Sequence, residues 1–110
     1  MDLPDTIIKY LAAHTARDVG TAIQTYADDA VVTDDGRTYR GRDEIRAWLS
    51  DAASEYTYTT ELTGSRKLDD STYVVTQHLE GDFPGGTADL DFTFDLDQDL
   101  ITRLVIAAQP

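Results

Sequence analysis

The sequence contains no cysteine, which excludes disulfides, thiolate catalysis and every cysteine-ligated zinc or iron–sulfur site. Basic residues are scarce: nine Lys and Arg stand against twenty-one Asp and Glu, a formal net charge of −12. Such a surface repels phosphate backbones and anionic lipid, so neither nucleic acid nor a membrane is expected as a partner. Long hydrophobic runs are missing too. The longest, Leu104-Val105-Ile106-Ala107-Ala108, is far too short to span a bilayer. Met1-Asp2-Leu3-Pro4-Asp5 has no basic region ahead of an apolar stretch, so the expectation is a soluble, cytoplasmic protein. No G-x-G-x-x-G, P-loop or G-x-S-x-G pattern occurs, which leaves a nucleotide cradle or a serine nucleophile without support.

Metal-binding patterns are equally thin. The two histidines, His14 and His78, lie in different elements and match no H-E-x-x-H spacing, so no metal site is expected. Asp95, Asp97 and Asp99 imitate the start of a calcium loop, but Leu100 stands where that loop needs glycine and Ile106 where it needs glutamate; the run reads as a solvated hairpin tip. His78 shares a parity with Thr76 and Glu80, away from Val75 and Leu79. It reads as a surface or interface residue, because no orienting carboxylate stands out beside it.

What is present is enough for one fold. A chain of 110 residues with 41% hydrophobic content can bury one continuous core and is not disordered. With no linker-like stretch and no internal repeat, residues 1–110 read as a single domain. Seventeen Asp to four Glu and seven Arg to two Lys is a bias that salt adaptation would produce through a carboxylate-rich surface, and that a GC-rich genome would produce as well.

The first half has helical periodicity. Pro4 suits a first helical turn, and Ile7, Ile8, Leu11 and Ala12 supply an apolar stripe for a helix to about Thr15. Asp18 can cap a second helix whose buried positions are Val19, Ala22, Ile23, Tyr26 and Ala27. A short strand at Ala30–Asp34 and a turn at Asp35-Gly36 lead to a third helix. Gly41 opens it, Asp43 and Glu44 sit at its positive end, and Ile45, Trp48, Leu49 and Ala52 form its buried face.

From Tyr56 the period becomes two. Tyr56, Tyr58, Thr60 and Leu62 alternate with Thr57, Thr59, Glu61 and Thr63, and Leu90, Phe92, Phe94 and Leu96 with Asp89, Asp91, Thr93 and Asp95. Connections at Asp69-Asp70-Ser71, Gly81–Gly86 and Asp97-Gln98-Asp99 give four strands in antiparallel sequence. A three-residue turn at Asp97–Asp99 sets Leu96 opposite Leu100, Phe92 opposite Leu104 and Leu90 opposite Ile106. On the last strand Leu104 and Ile106 face one way and Ile101 and Val105 the other, while Val74 opposes Val75 and Leu79. Apolar residues on both faces point to a second cover, expected to be another copy in a homodimer formed through the sheet.

Tyr26-Ala27-Asp28-Asp29-Ala30-Val31-Val32-Thr33-Asp34, followed by Gly41-Arg42-Asp43-Glu44-Ile45-Arg46-Ala47-Trp48, resembles the signature of the nuclear transport factor two-like superfamily. Gly81-Asp82-Phe83-Pro84-Gly85 followed by Phe92-Thr93-Phe94 is similar to its SnoaL-like branch. The resemblance covers nearly the whole chain. It implies an α+β, cone-shaped fold, with three N-terminal helices packed on the concave face of a curved antiparallel sheet. The superfamily holds ketosteroid isomerases, polyketide cyclases and non-catalytic binding modules, so fold alone does not give function.

Against the ketosteroid isomerases, Ile7-Ile8-Lys9-Tyr10-Leu11-Ala12-Ala13 resembles the segment carrying the catalytic tyrosine, and Asp34 holds the position of the catalytic base. A carboxylate can shuttle a proton beside a ketone while a phenol hydrogen-bonds the developing enolate oxygen; ketosteroid isomerase is the standard example of such tuning. The family's second acid is absent: Leu90 takes its place, and Asp89 and Asp91 point to the other face. The resemblance implies a pocket lined by Tyr10, Asp34, Trp48, Tyr58, Tyr73, Gln77 and Leu90, suited to a small hydrophobic molecule, with no cofactor. Two functions remain open: cofactor-independent proton transfer by an isomerase or cyclase, with Asp34 as base and Tyr10 as donor, or a non-catalytic ligand-binding or dimerisation module. In the second, Tyr10 is a core residue and Asp34 a turn residue.

Overall fold

The computed structural model describes residues 3–34, 36–55 and 58–109, over 52–55 the backbone only. Three helices and six strands follow one another as α1 (Asp5–Thr15), α2 (Val19–Gln24), β1 (Tyr26–Asp34), β2 (Arg37–Arg40), α3 (Gly41–Glu55), β3 (Tyr58–Lys67), β4 (Thr72–Gly81), β5 (Thr87–Asp97) and β6 (Leu100–Ala108). All six strands join one sheet in the order β2-β1-β6-β5-β4-β3. The α+β class holds, with two corrections. The third helix follows a strand pair instead of completing an N-terminal trio, and the β1–β6 pairing is parallel. Strand β2 carries no apolar alternation that would mark it in the sequence.

Local chemistry fixes the helix boundaries. The Asp18 carboxylate accepts from the Thr21 backbone N–H (3.2 Å) and hydroxyl (2.7 Å), capping α2. That helix is shorter than its apolar spacing predicts. Thr25 ends it, and Tyr26 starts β1 with its side chain in the core. In α1 the buried residues are Ile7, Tyr10 and Ala13, while Ile8 is 49% exposed; the apolar stripe is rotated from the expected Ile7-Ile8-Leu11-Ala12 face. Helix α3 begins at Gly41, whose φ of +80° favours glycine, and Glu44 accepts from the Arg40 backbone N–H at 3.0 Å. Ile45, Trp48 and Leu49 are buried as their spacing requires. The Ala52 side chain, the Tyr56 and Thr57 positions and Asp35 lie outside the described residues.

Arg42 gives the Gly41-Arg42-Asp43-Glu44 segment a physical role. Its guanidinium donates twice to the Tyr26 carbonyl (3.1 and 2.6 Å) and pairs with Asp28 (3.1 Å). The β1–β6 register shifts between Tyr26 and Val31, so Arg42 satisfies a carbonyl at the irregular start of β1.

The β5–β6 hairpin corrects the expected register. Gln98 and Asp99 both have positive φ (52° and 65°) and form a two-residue turn, pairing Asp97 with Leu100. A register shift between Asp95 and Leu96 then places Phe92 opposite Ile106 and Leu90 opposite Ala108, two residues from the expected partners. An offset of two preserves parity, so Phe92, Phe94, Leu104 and Ile106 still share the buried face. The same irregularity turns Ile101 into the core with Leu104. Ile101 therefore does not contribute to an outer apolar patch.

The outer face of β4 and β5 is instead a polar ladder. Thr72 donates to Asp95 and Thr76 to Asp91, both at 2.7 Å, and His78 Nδ1 lies 2.7 Å from Asp89. These aspartates point outward as expected. The carboxylate that orients His78 comes from the neighbouring strand, where linear sequence does not show it, with Glu80 adding a contact of 3.4 Å.

Candidate functional site

The inner face of the sheet and the helices over it enclose an aromatic interior, into which β1 and α3 bring the first pair of polar groups. Asp34 ends β1 opposite Ile106, two residues beyond the Val32–Leu104 pairing and on the same inner face. Trp48, two turns into α3, donates its indole Nε1–H to Asp34 Oδ2 at 3.0 Å. A charge-assisted bond of this kind fixes a carboxylate more firmly than a neutral one. Among the described residues no three His, Asp or Glu side chains cluster as a cation site.

Tyr10 enters from α1. Its ring stands edge-on to Tyr26 (centroids 5.3 Å apart) and to Phe94 (5.7 Å), and it is fully buried. Its hydroxyl and that of Tyr26 act on one another's ionisation, yet neither finds a partner in hydrogen-bond geometry among the described residues. Burial pushes the Tyr10 phenol well above the ordinary tyrosine range, and the Asp34 charge adds to the rise. Tyr10 therefore stays neutral and keeps its proton to donate. Tyr58, at the start of β3, is also raised, first by burial; the Arg17 guanidinium, 5.9 Å from its ring, opposes this and the Asp34 charge reinforces it. The field of Asp34 thus reaches both phenols.

Two residues of this interior were not marked by the sequence. His14 stacks on Tyr10 (5.6 Å) and stands 6.2 Å from both Trp48 and Phe92. Burial pushes its imidazole down to about 4, so it is neutral at neutral pH. The spacing from Tyr10 to His14 is one helical turn, a signal legible only once Tyr10 is taken as a site residue. Tyr39 of β2 lies against Trp48 at 5.9 Å.

The remaining expected pocket residues separate. Leu90 stands on the inner face of β5, among partly buried side chains packed against the core. Gln77 is its direct cross-strand partner on β4, but it lines a groove between α1 and β3 together with Leu11, Thr15 and Leu62. Tyr73 lies opposite Phe94 at the other end of β4, with Lys67 Nζ 6.0 Å from its ring. The structure thus links Tyr10, His14, Trp48 and Asp34 in one chain of contacts, while Tyr58, which feels the Asp34 charge, packs against Phe83, and Tyr73 and Gln77 meet other neighbours.

Comparison with known proteins agrees with this architecture. No curated protein matches the chain. A proposed polyketide cyclase of Sinorhizobium meliloti is 33% identical, with 97% of each chain covered and a TM-score of 0.91. A Catenulispora acidiphila protein with a ketosteroid isomerase-like fold, solved with trimethylamine, is 16% identical, covering 96% of this chain and 86% of that one, with a TM-score of 0.84. Rv0760c of Mycobacterium tuberculosis, solved with estradiol-17β-hemisuccinate, is 17% identical, covering 92% and 88%, with a TM-score of 0.76. These last two likenesses are of fold. The SnoaL-like domain family matches residues 7–104, and this chain belongs to it.

Proposed function

We propose that this protein binds a small, apolar carbonyl compound in its aromatic interior and moves a proton on it without a cofactor. The observation that carries this reading is a pairing. A fully buried tyrosine hydroxyl without a partner among the described residues shares an interior with a carboxylate anchored by Trp48. Unpartnered buried hydroxyls are costly and rare. An enolate oxygen would give the Tyr10 hydroxyl its acceptor.

In this reading Asp34 removes a proton from the carbon beside the carbonyl. The C–H electron pair becomes the enolate double bond and the carbonyl pair moves onto oxygen, where Tyr10 donates a hydrogen bond. Asp34 then returns the proton to another carbon of the conjugated system. Leu90 provides no second acidic donor, so the oxyanion rests on Tyr10. Neutral His14, Tyr58 and Trp48 shape the surrounding wall. The proposed cyclase from Sinorhizobium meliloti and the steroid ester bound to Rv0760c are both consistent with a carbonyl or phenolic ligand.

The full burial of the Tyr10 hydroxyl favours a second reading, a ligand-binding or dimerisation module in which no substrate oxygen reaches it. Trp48 is the sole tryptophan and touches Asp34, so its fluorescence reports ligand entry directly. Cyclohex-3-en-1-one, with conversion to the conjugated enone followed by absorbance, separates the two. Conversion lost in Asp34→Asn supports the enzyme; quenching of Trp48 without conversion supports the binding module. For assembly, we propose a homodimer through the outer sheet face at Val105, which is half-buried in the single chain; Val105→Asp should yield a monomer in sedimentation, and unchanged sedimentation would reject that interface.

A further inference from the structure

The residue that closes α1 is of an unusual type for its backbone. Arg17 has a φ of +59°, the left-handed conformation in which a Cβ is crowded and glycine is the usual occupant. Its N–H donates to the His14 carbonyl at 3.1 Å, and the Asp18 N–H donates to that of Ala13 at 2.8 Å. Those two bonds end the helix through the backbone alone and ask for no side chain at this position. A side chain kept where the backbone disfavours one points to a function for it.

The guanidinium belongs to the end of the sheet that carries Asp34. Strand register puts Asp34 at the end of β1, Tyr58 at the start of β3 and Phe83 in the β4–β5 connection all at that end. Arg17 lies over the Tyr58 ring at 5.9 Å, and Phe83 meets the same ring edge-on at 6.4 Å. Burial aside, two charges of opposite sign act on the Tyr58 phenol, Arg17 and Asp34. Along α1, Tyr10 is fully buried and Arg17 is exposed, so a molecule reaching from solvent toward Tyr10 meets a cation at its outer end and an anion further in. The chain as a whole carries −12 and repels anions at a distance; a carboxylate can be held only by a local cation, and the planar fork of arginine matches it.

We propose that Arg17 is a specificity-determining residue of the Asp34 site, selecting carbonyl compounds that carry a carboxylate at the end remote from the carbonyl. This rests on the reading that the aromatic interior takes a carbonyl compound. From Tyr10 to Arg17 the helix and its closing turn rise about 10 Å, which sets the scale of separation between the two groups of the ligand. Arg17 donates to the carboxylate at the rim. Repulsion between that carboxylate and Asp34 favours the orientation with the carbonyl inward, toward Tyr10.

The test uses 3-(4-oxocyclohexyl)propanoate and its neutral carboxamide, with affinity read from quenching of Trp48 and from the Arg17 Nε–H signal of the ¹⁵N-labelled protein. The carboxylate should bind about tenfold tighter at low salt and lose most of that advantage at about 1 M salt. Arg17→Gln should remove the preference and leave carboxamide binding unchanged, whereas Arg17→Lys should retain part of it. Glycine suits this backbone, so Arg17→Gly decides the matter if the glutamine variant fails to fold. Asp34→Asn should keep the preference, which does not depend on proton transfer. Equal binding of the two probes, or a preference that survives both Arg17→Gln and Arg17→Gly, would overturn the proposal and leave the interior reading standing. Binding of neither probe would overturn both.

Discussion

Trp48 Nε1 donates to Asp34 Oδ2 across 3.0 Å, joining the middle of α3 to the end of β1. This bond holds a carboxylate at a fixed angle inside an aromatic enclosure. It also makes the wall residue and the proposed base one unit.

Replacing the indole by a ring without a donor separates those roles. Trp48→Phe keeps apolar contact with His14 and Tyr39 but removes the hydrogen bond to a charged acceptor, and should destabilise the fold by about 1–3 kcal/mol. Conversion of the enone probe should fall by about tenfold or more as Asp34 loses its orientation. Denaturant melts and initial rates check the two effects separately.

Tyr10→Phe should behave in the opposite sense for stability. The substitution deletes a buried hydroxyl that has no partner among the described residues, so stability should be unchanged or higher by about 1 kcal/mol. Proton transfer should fall by about 10²–10³, the usual cost of one oxyanion donor. A variant that is more stable but inactive identifies a residue kept for chemistry; one that loses stability as well identifies a packing residue.

The two histidines should give stability a pH dependence of opposite signs. His14 titrates near 4 in the folded chain against an ordinary 6.5. As pH falls from 6.5 toward 4 the unfolded chain takes up the proton first, and stability declines by about 3 kcal/mol. His78 is held above its ordinary value, chiefly by its hydrogen bond to Asp89. Its contribution is therefore complete below 6.5 and is lost as pH rises through the folded value. Thermal midpoints across this range should flatten on the acid side in His14→Phe and on the neutral side in His78→Gln.

Most of the architecture was legible because period and capping are local properties. The α2 cap at Asp18, the buried face of Ile45, Trp48 and Leu49 and the parity of β5 follow from neighbours in sequence. The exceptions have long-range causes. Tyr26 fits a helical stripe but is claimed by β1, where its backbone pairs with Ile101. Ile101 turns inward through an irregularity that alternation cannot foresee. Within the site, Tyr10, Asp34 and Trp48 followed from the family resemblance, whereas His14 needed the packing of three rings around it. Gln77 was expected beside Asp34 because both belong to the inner face, yet a shared face does not decide which side of α1 a residue meets.

The account rests on Asp34 acting as a base. The most direct measurement is the exchange of deuterium into the position beside the carbonyl of cyclohex-3-en-1-one, followed by NMR with the unaltered protein and with Asp34→Asn. The account predicts exchange above the buffer rate that falls by about 10²–10⁴ in the variant, with quenching of Trp48 by the ligand retained. Exchange at the buffer rate with the unaltered protein, or equal exchange with both, would contradict it.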